Sequence, residues 1–161
     1  MSTSGRGEAS DDVLWEAFVA GIITHAEWNH RAHVRIGYLH ICRHPFSRAL
    51  ELVRSRIQRL NAIHGTPEAI DRGYHETMTR AFMQLIAASA VEMRDADSQA
   101  FCDAHPELLD RRVLRKYYTR ERILTLKAKA EFVTPDLQPL PEIPPEFRSS
   151  QQPAQDESDG E

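Results

Sequence analysis

Residues 24–43 read THAEWNHRAHVRIGYLHICR, and this stretch decides the fold class. Thr24 and Glu27 stand in the N-cap and N3 relationship of a capping box, in which hydroxyl and carboxylate each satisfy an unpaired N–H group. Trp28, Ala32, Ile36 and Leu39 then recur three and four residues apart, an apolar stripe with the α-helical period. His44-Pro45 closes the segment, because the residue before a proline is pushed out of helical geometry. The spacing predicts a helix from Thr24 to about Arg43.

The same signature repeats on both sides. Upstream, Val13, Leu14, Ala17, Phe18 and Ile22 predict a helix from Asp11, with Gly21 placed to loosen or end it. Downstream, Pro45 suits a first helical turn. Phe46, Ala49, Leu50, Val53, Ile57, Leu60 and Ile63 continue the pattern until Gly65 stops it after His64. A fourth helix, from near Gly73, carries Met78, Phe82, Leu85 and Ile86. It is apolar on nearly all sides beyond Arg80, which predicts a central position. The charged run Met93 to Asp97 ends it. A short helix over Ser98 to Ala104, a segment bearing Leu108, Leu109, Val113 and Leu114, and a last helix over Thr119 to Glu131 follow. Ile123, Leu124 and Leu126 are expected to face inward there.

Pro135, Pro139, Pro141, Pro144 and Pro145 then exclude regular structure. Val133, Leu137, Leu140 and Ile143 predict an extended strap packed along the domain. The expected fold is all-α: a compact single-domain helical bundle over residues 11–147, ending in the proline-rich strap. Residues 1–10 and an acidic tail over 148–161 have the polar composition of disordered segments.

Bulk composition narrows the function classes. The chain has 161 residues, 41% hydrophobic and 27% charged, the proportions of one ordinary globular domain. Its formal charge is -4. Asp156, Glu157, Asp159 and Glu161 carry four negative charges near the end, so the remainder is close to neutral. A broad basic footprint for nucleic acid is missing. Arg111, Arg112, Arg115, Lys116, Arg120 and Arg122, beside Tyr117 and Tyr118, form a local basic cluster. Acidic residues such as Glu121 interrupt it, so a solvated face is the expected reading and nucleic acid is not an expected partner. No apolar run approaches the roughly 20 residues of a spanning helix, so no membrane partner is expected. The N-terminus lacks a secretory pattern, which points to a cytoplasmic protein. Cys42 and Cys102 form no CxxC motif, and no GxGxxG, P-loop or GxSxG motif is present.

The chemically suggestive residues are histidines. His30 and His33, three apart on one helix, occupy neighbouring positions on one face, a workable bite for a first-row transition metal. His75 lies at the first turn of another helix, and facing helices of a bundle can converge their ligands on one metal. The expected site is therefore a divalent transition metal, Zn or Fe, on His30, His33 and His75. Such a metal would acidify a bound water and act on a small-molecule substrate. Three adjacent residues receive catalytic roles. Glu76 is a fourth ligand or a general base, Tyr74 orients a bound oxygen, and Arg80 pairs with Glu76 or holds an anionic substrate. The bland alternatives are specific too. His33 borders the apolar stripe and suits a hydrogen-bonded core position. Glu76 and Arg80 have the spacing of an ordinary surface pair. His40 is a second shell to the site or partly buried structure. His25 is local or exposed, and His44, His64 and His105 sit at helix ends, where the helix dipole favours them.

Three segments together resemble a family of small uncharacterised microbial all-helical proteins. They are Trp28-Asn29-His30-Arg31-Ala32-His33-Val34, Gly73-Tyr74-His75-Glu76-Thr77-Met78-Thr79-Arg80 and Pro135-Asp136-Leu137-Gln138-Pro139-Leu140-Pro141. The corresponding family pattern is aromatic-x-HxxH, GYHETxTR and PDLxPLP, and the likeness runs from about residue 13 to 143. Val34 stands where the pattern has leucine. The resemblance brings no activity with it. It implies that His30, His33, His75 and Glu76 matter together and that the strap belongs to the domain. Two functions stay open at this level: a small metal-dependent enzyme, or a non-catalytic helical ligand-binding or interaction domain with a structural histidine network.

Overall fold

The computed structural model describes residues 8–148. The expected disorder of residues 1–7 and 149–161 lies outside that span. Helix α1 covers Asp11–Ala20, α2 His30–Arg43, α3 Phe46–His64, α4 Glu76–Ala90 and α5 Ser98–Ala104. Two 3₁₀ segments, Pro106–Leu109 and Arg111–Lys116, lead to two short helices, α6 Arg120–Ile123 and α7 Leu126–Ala130. No strand occurs among the described residues, so the all-α expectation holds.

Helix α2 is the hub, packing against α1, α3, α4 and α5. All eight residues from Val34 to Ile41 are buried, so this helix has no solvent face over two turns. That is more than its apolar stripe predicts, and it requires partners for Arg35 and His40. The Arg35 guanidinium, 3% exposed, donates to Ser98 Oγ at 2.6 Å, the Ala9 carbonyl at 2.7 Å and Asp11 Oδ1 at 3.2 Å. Asp11 also accepts from the Ser98 backbone at 2.9 Å. One buried cation thereby ties the start of α1 to α2 and α5. Tyr38 reaches the other way, its hydroxyl donating to the Ala96 carbonyl at 2.7 Å, which fixes the turn between α4 and α5. Helix α4 is central as expected, with Ala81, Met83, Leu85, Ile86, Ala87 and Ala90 buried.

Three element boundaries differ from expectation. The Thr24–Glu27 capping box is formed, with reciprocal bonds of 3.0 and 3.2 Å, yet it closes a single turn. Helix α2 starts five residues later, because Asn29 accepts from the Ala32 N–H at 2.9 Å and makes a second, competing N-cap. The predicted last helix is split. His75 Nε2 donates to the Ile123 carbonyl at 3.0 Å, and Thr125 Oγ1 caps Ala128 N–H at 2.9 Å, so α6 ends and α7 begins anew. The break turns Leu126 outward, 67% exposed, while Ile123 is buried. At the other end, Glu8, Ala9 and Ser10 belong to the fold: Glu8 pairs with Arg31, and Ser10 caps α1.

The strap packs through buried Val133 and half-buried Leu140 and Ile143, whereas Leu137, expected to pack with them, is 54% exposed; side chains clasp the segment. The Thr77 hydroxyl, fully buried, donates to the Glu131 carbonyl at 3.0 Å and accepts from the Val133 N–H at 3.1 Å. Asp136 accepts from the Thr119 N–H at 2.9 Å and its hydroxyl at 2.6 Å. Gln84 Nε2 reaches the Pro141 carbonyl at 3.1 Å. These bonds replace the ladder that the prolines forbid.

Candidate functional site

A cavity of about 990 Å³ opens between α2, α3, α4 and the Arg111–Lys116 segment. Its volume is that of a drug-sized ligand site. Val34, Ile57, Phe82, Met83, Ile86 and Leu114 give it an apolar wall. His30 and His33 from the first turn of α2 stand on it, their rings 6.3 Å apart. The Trp28 indole stacks on His33 at 3.8 Å, and Phe82 meets His30 edge-on at 5.0 Å.

Each of these imidazoles has one nitrogen committed and one open. His30 Nε2 donates to the Leu108 carbonyl at 3.0 Å, and His33 Nδ1 to the Asn29 carbonyl at 2.8 Å. His30 Nδ1 and His33 Nε2 have no protein partner among the described residues and are reached by solvent. Burial pushes the His33 imidazole down to about 4, against the pull of the Asn29 carbonyl. Burial also lowers His30. At neutral pH both rings are uncharged acceptors, and the tautomers follow from the backbone carbonyls.

The third expected ligand does a different job. His75 lines the cavity, but it is the N-cap of α4: its Nδ1 accepts from the Met78 N–H at 3.1 Å while Nε2 holds Ile123. Both ring nitrogens are consumed, so His75 does not complete a three-histidine set. Among the described residues, no group of three or more His, Cys, Asp or Glu side chains is disposed to hold a metal ion.

Two of the three residues expected to be catalytic, Tyr74 and Glu76, form a clamp with Arg54. Arg54 of α3 grips Glu76 with two bonds, 2.9 and 2.8 Å, and the Tyr74 hydroxyl adds a third at 2.8 Å. Burial would raise the Glu76 carboxyl, but the bonds from Arg54 and Tyr74 and the Arg54 charge outweigh it and hold it below its ordinary value. The Tyr74 phenol is pushed up by burial and by Glu76. Neither group is poised near neutrality for proton transfer. Arg80 does not pair with Glu76. Its guanidinium lies over the Phe132 ring at 4.3 Å, and its Nε donates to Gln84 at 3.2 Å, holding the strap. Gly73 adopts φ +85°, and a Cβ there would fall 2.3 Å from Glu68 Oε1, which Lys129 binds. The GYHETMTR segment is thus a fastening between α3, α4 and the strap.

His40, His64, Cys102 and His105 have structural roles. His40 is fully buried, donating to the Ile36 carbonyl at 2.8 Å and accepting from Arg56 at 3.0 Å. It packs on Trp15 at 4.5 Å, far from a second-shell role. His64 Nε2 donates to the Ile23 carbonyl at 2.7 Å, with exposed His25 edge-on at 5.5 Å. Cys102 is buried, its thiol pushed up to about 11, and His105 Nδ1 donates to the Phe101 carbonyl at 2.9 Å. No activated nucleophile results.

The basic cluster also resolves into parts. Arg112 is bound by Asp110 and Arg122 by Thr134, while Tyr118 is buried with its hydroxyl on the Val133 carbonyl at 2.7 Å. Tyr118 is therefore not free to stack on a nucleobase. Arg111, Arg115 and Arg120 are exposed and line the mouth of the cavity. Sequence reasoning noticed this cluster without placing it at the histidines, because only the fold brings residues 30 and 111 together. Arg54, the partner of Glu76, carries no sequence signal at all. No helix among the described residues is long and apolar enough to cross a membrane. Neither a family model, nor a curated protein, nor a solved structure matches this chain.

Proposed function

We propose that this protein binds a small molecule with an apolar body in the His30–His33 cavity. The observation that carries the reading is the pair of open imidazole nitrogens set on an apolar wall, where few polar groups suffice to orient a ligand. Recognition fits better than catalysis. A ring held neutral down to about pH 4 is a weak base at pH 7 and a good acceptor for a ligand N–H or O–H. The neutral dye N-phenyl-1-naphthylamine, which joins an apolar body to one N–H donor, tests this by fluorescence titration. Saturable binding at one site is expected, weakened at least tenfold by Thr79→Phe, which adds bulk to the cavity wall. Unsaturable binding, or binding indifferent to Thr79→Phe in a variant of unchanged thermal stability, overturns it.

A second reading has its own support. Metal-bound histidines characteristically rest their other N–H on a carbonyl, as His30 and His33 do. Here a divalent transition metal, Zn or Fe, would sit on the two open nitrogens with the bound molecule completing its coordination. The nearby Arg111 charge opposes a cation at that point. Elemental analysis of untagged protein separates the readings. Stoichiometric metal lost in His33→Ala supports the second, and metal-free protein that binds the dye supports the first.

A further inference from the structure

Resting on that pocket reading, we infer that the bound molecule is an organic anion, its acidic group held at the cavity mouth by Arg111, Arg115 and Arg120. Three observations carry the assignment. The first is pairing. Among the described residues, none of these three guanidiniums has a carboxylate within ion-pair distance. Arg112, on the same 3₁₀ segment, is by contrast consumed by a two-bond grip on Asp110, at 3.0 Å for each bond. The second is balance. Asp71 is the one acidic side chain lining the cavity among the described residues, against these three arginines, Arg72, and Arg112, whose charge Asp110 matches.

The third observation is placement. The Arg111–Lys116 segment buries Val113 and Leu114 and leaves Arg111 and Arg115 exposed on the cavity side. Leu114 forms part of the apolar wall, so one segment supplies both an apolar contact and a cationic rim. Arg111 stands close enough that its charge opposes protonation of both His30 and His33. Asp110 also faces His30, but its charge is matched by Arg112. A field that repels a proton at the histidines attracts an anion. Guanidinium groups bind carboxylate, sulfonate or phosphate oxygens in a forked geometry. The ligand class is therefore an amphipathic organic anion: an apolar body against the wall, a hydrogen-bond donor toward His30 and His33, and an acidic end at the arginines.

A matched pair of dyes tests this. N-phenyl-1-naphthylamine and 8-anilinonaphthalene-1-sulfonate share a skeleton and differ by one sulfonate. Their dissociation constants are measured on the full chain at low salt, in wild type and in the triple variant Arg111→Gln, Arg115→Gln, Arg120→Gln. All three side chains are exposed, so the variant is expected to fold normally. The sulfonate dye is expected to bind at least tenfold more tightly to wild type. That preference is expected to shrink below threefold in the triple variant, with the neutral dye unchanged. Neutral-dye binding without a sulfonate preference, or a preference that survives in the triple variant, overturns the anion assignment alone. Failure of the neutral dye to bind overturns the pocket reading, and this inference with it.

Discussion

Arg35→Ala is expected to lower the unfolding free energy by about 3–4 kcal/mol, close to the loss seen when one partner of a buried ion pair is removed. The side chain is 3% exposed, and it satisfies Ser98 Oγ, the Ala9 carbonyl and Asp11 at once. Truncation leaves the Asp11 carboxylate, largely buried, with only Ser98 as a neutral partner. A void the size of an arginine stem also opens in the middle of α2. Because the triad joins α1, α2 and α5, the loss falls on the whole domain rather than on one end. Urea denaturation followed by circular dichroism measures it. A double-mutant cycle with Asp11→Asn should show a coupling above about 1 kcal/mol, as residues in one ionic network do. A loss below about 1 kcal/mol would show that the triad is not a principal tie of the fold. With domain stabilities of about 5–15 kcal/mol, the expected loss is enough to leave the variant marginal at 37 °C.

Acidification from pH 7 to pH 5 is expected to remove about 2 kcal/mol of stability through His40 alone, rising to about 3 kcal/mol at pH 4. The ring is fully buried, and burial pushes it down to about 4, the Ile36 carbonyl opposing and Arg56, His44 and Arg43 assisting the fall. In the unfolded chain the same ring titrates near the usual value of about 6.5. As pH falls below that value the unfolded chain takes up a proton that the folded chain refuses, and the balance shifts toward unfolding. The refusal is geometric as well as dielectric. His40 Nε2 accepts from Arg56, so a proton there would face a guanidinium across 3.0 Å. Denaturation midpoints at pH 7 and pH 5, for wild type and His40→Gln, provide the measurement. Wild type should lose about 2 kcal/mol more than the variant over that interval. Equal losses would assign the acid lability to other groups. His33, also lowered to about 4, contributes in the same direction.

The GYHETMTR segment illustrates how a chemically suggestive motif can serve architecture. His75 caps a helix, Glu76 receives Arg54, Thr77 clasps the strap and Arg80 covers Phe132. His75, expected as a metal ligand, and Glu76 and Arg80, expected as catalytic residues, each have their polar chemistry engaged by the protein itself. Among the residues expected to bind metal or catalyse, His30 and His33 are the ones with a ring nitrogen left open.

The division between sequence and tertiary structure follows the range of the forces concerned. Periodicity and stop signals are local, so residues 24–43 announced an all-α fold, Gly65 announced the end of α3, and the prolines announced a strap. Local signals fail where two of them compete. Thr24 and Asn29 are both competent N-caps, and the α2 start was decided at Asn29. They fail again where a distant side chain intervenes, as His75 does at Ile123 when it splits the last helix. The HxxH pair was legible because three-residue spacing on a helix is a local fact. Whether its nitrogens were free was not legible, since their partners are carbonyls and the surroundings include an arginine 81 residues on, at Arg111. Sequence by itself determined that the chain is helical, roughly where α1, α3 and α4 lie, and which histidines share a face. Only the tertiary structure decided that His75 is spent on backbone, that Glu76 is spent on Arg54, and that two neutral imidazoles stand over a cavity rimmed by unpaired arginines. Hydrogen-bond saturation and charge pairing depend on contacts between distant segments, and those exist only once the chain has packed.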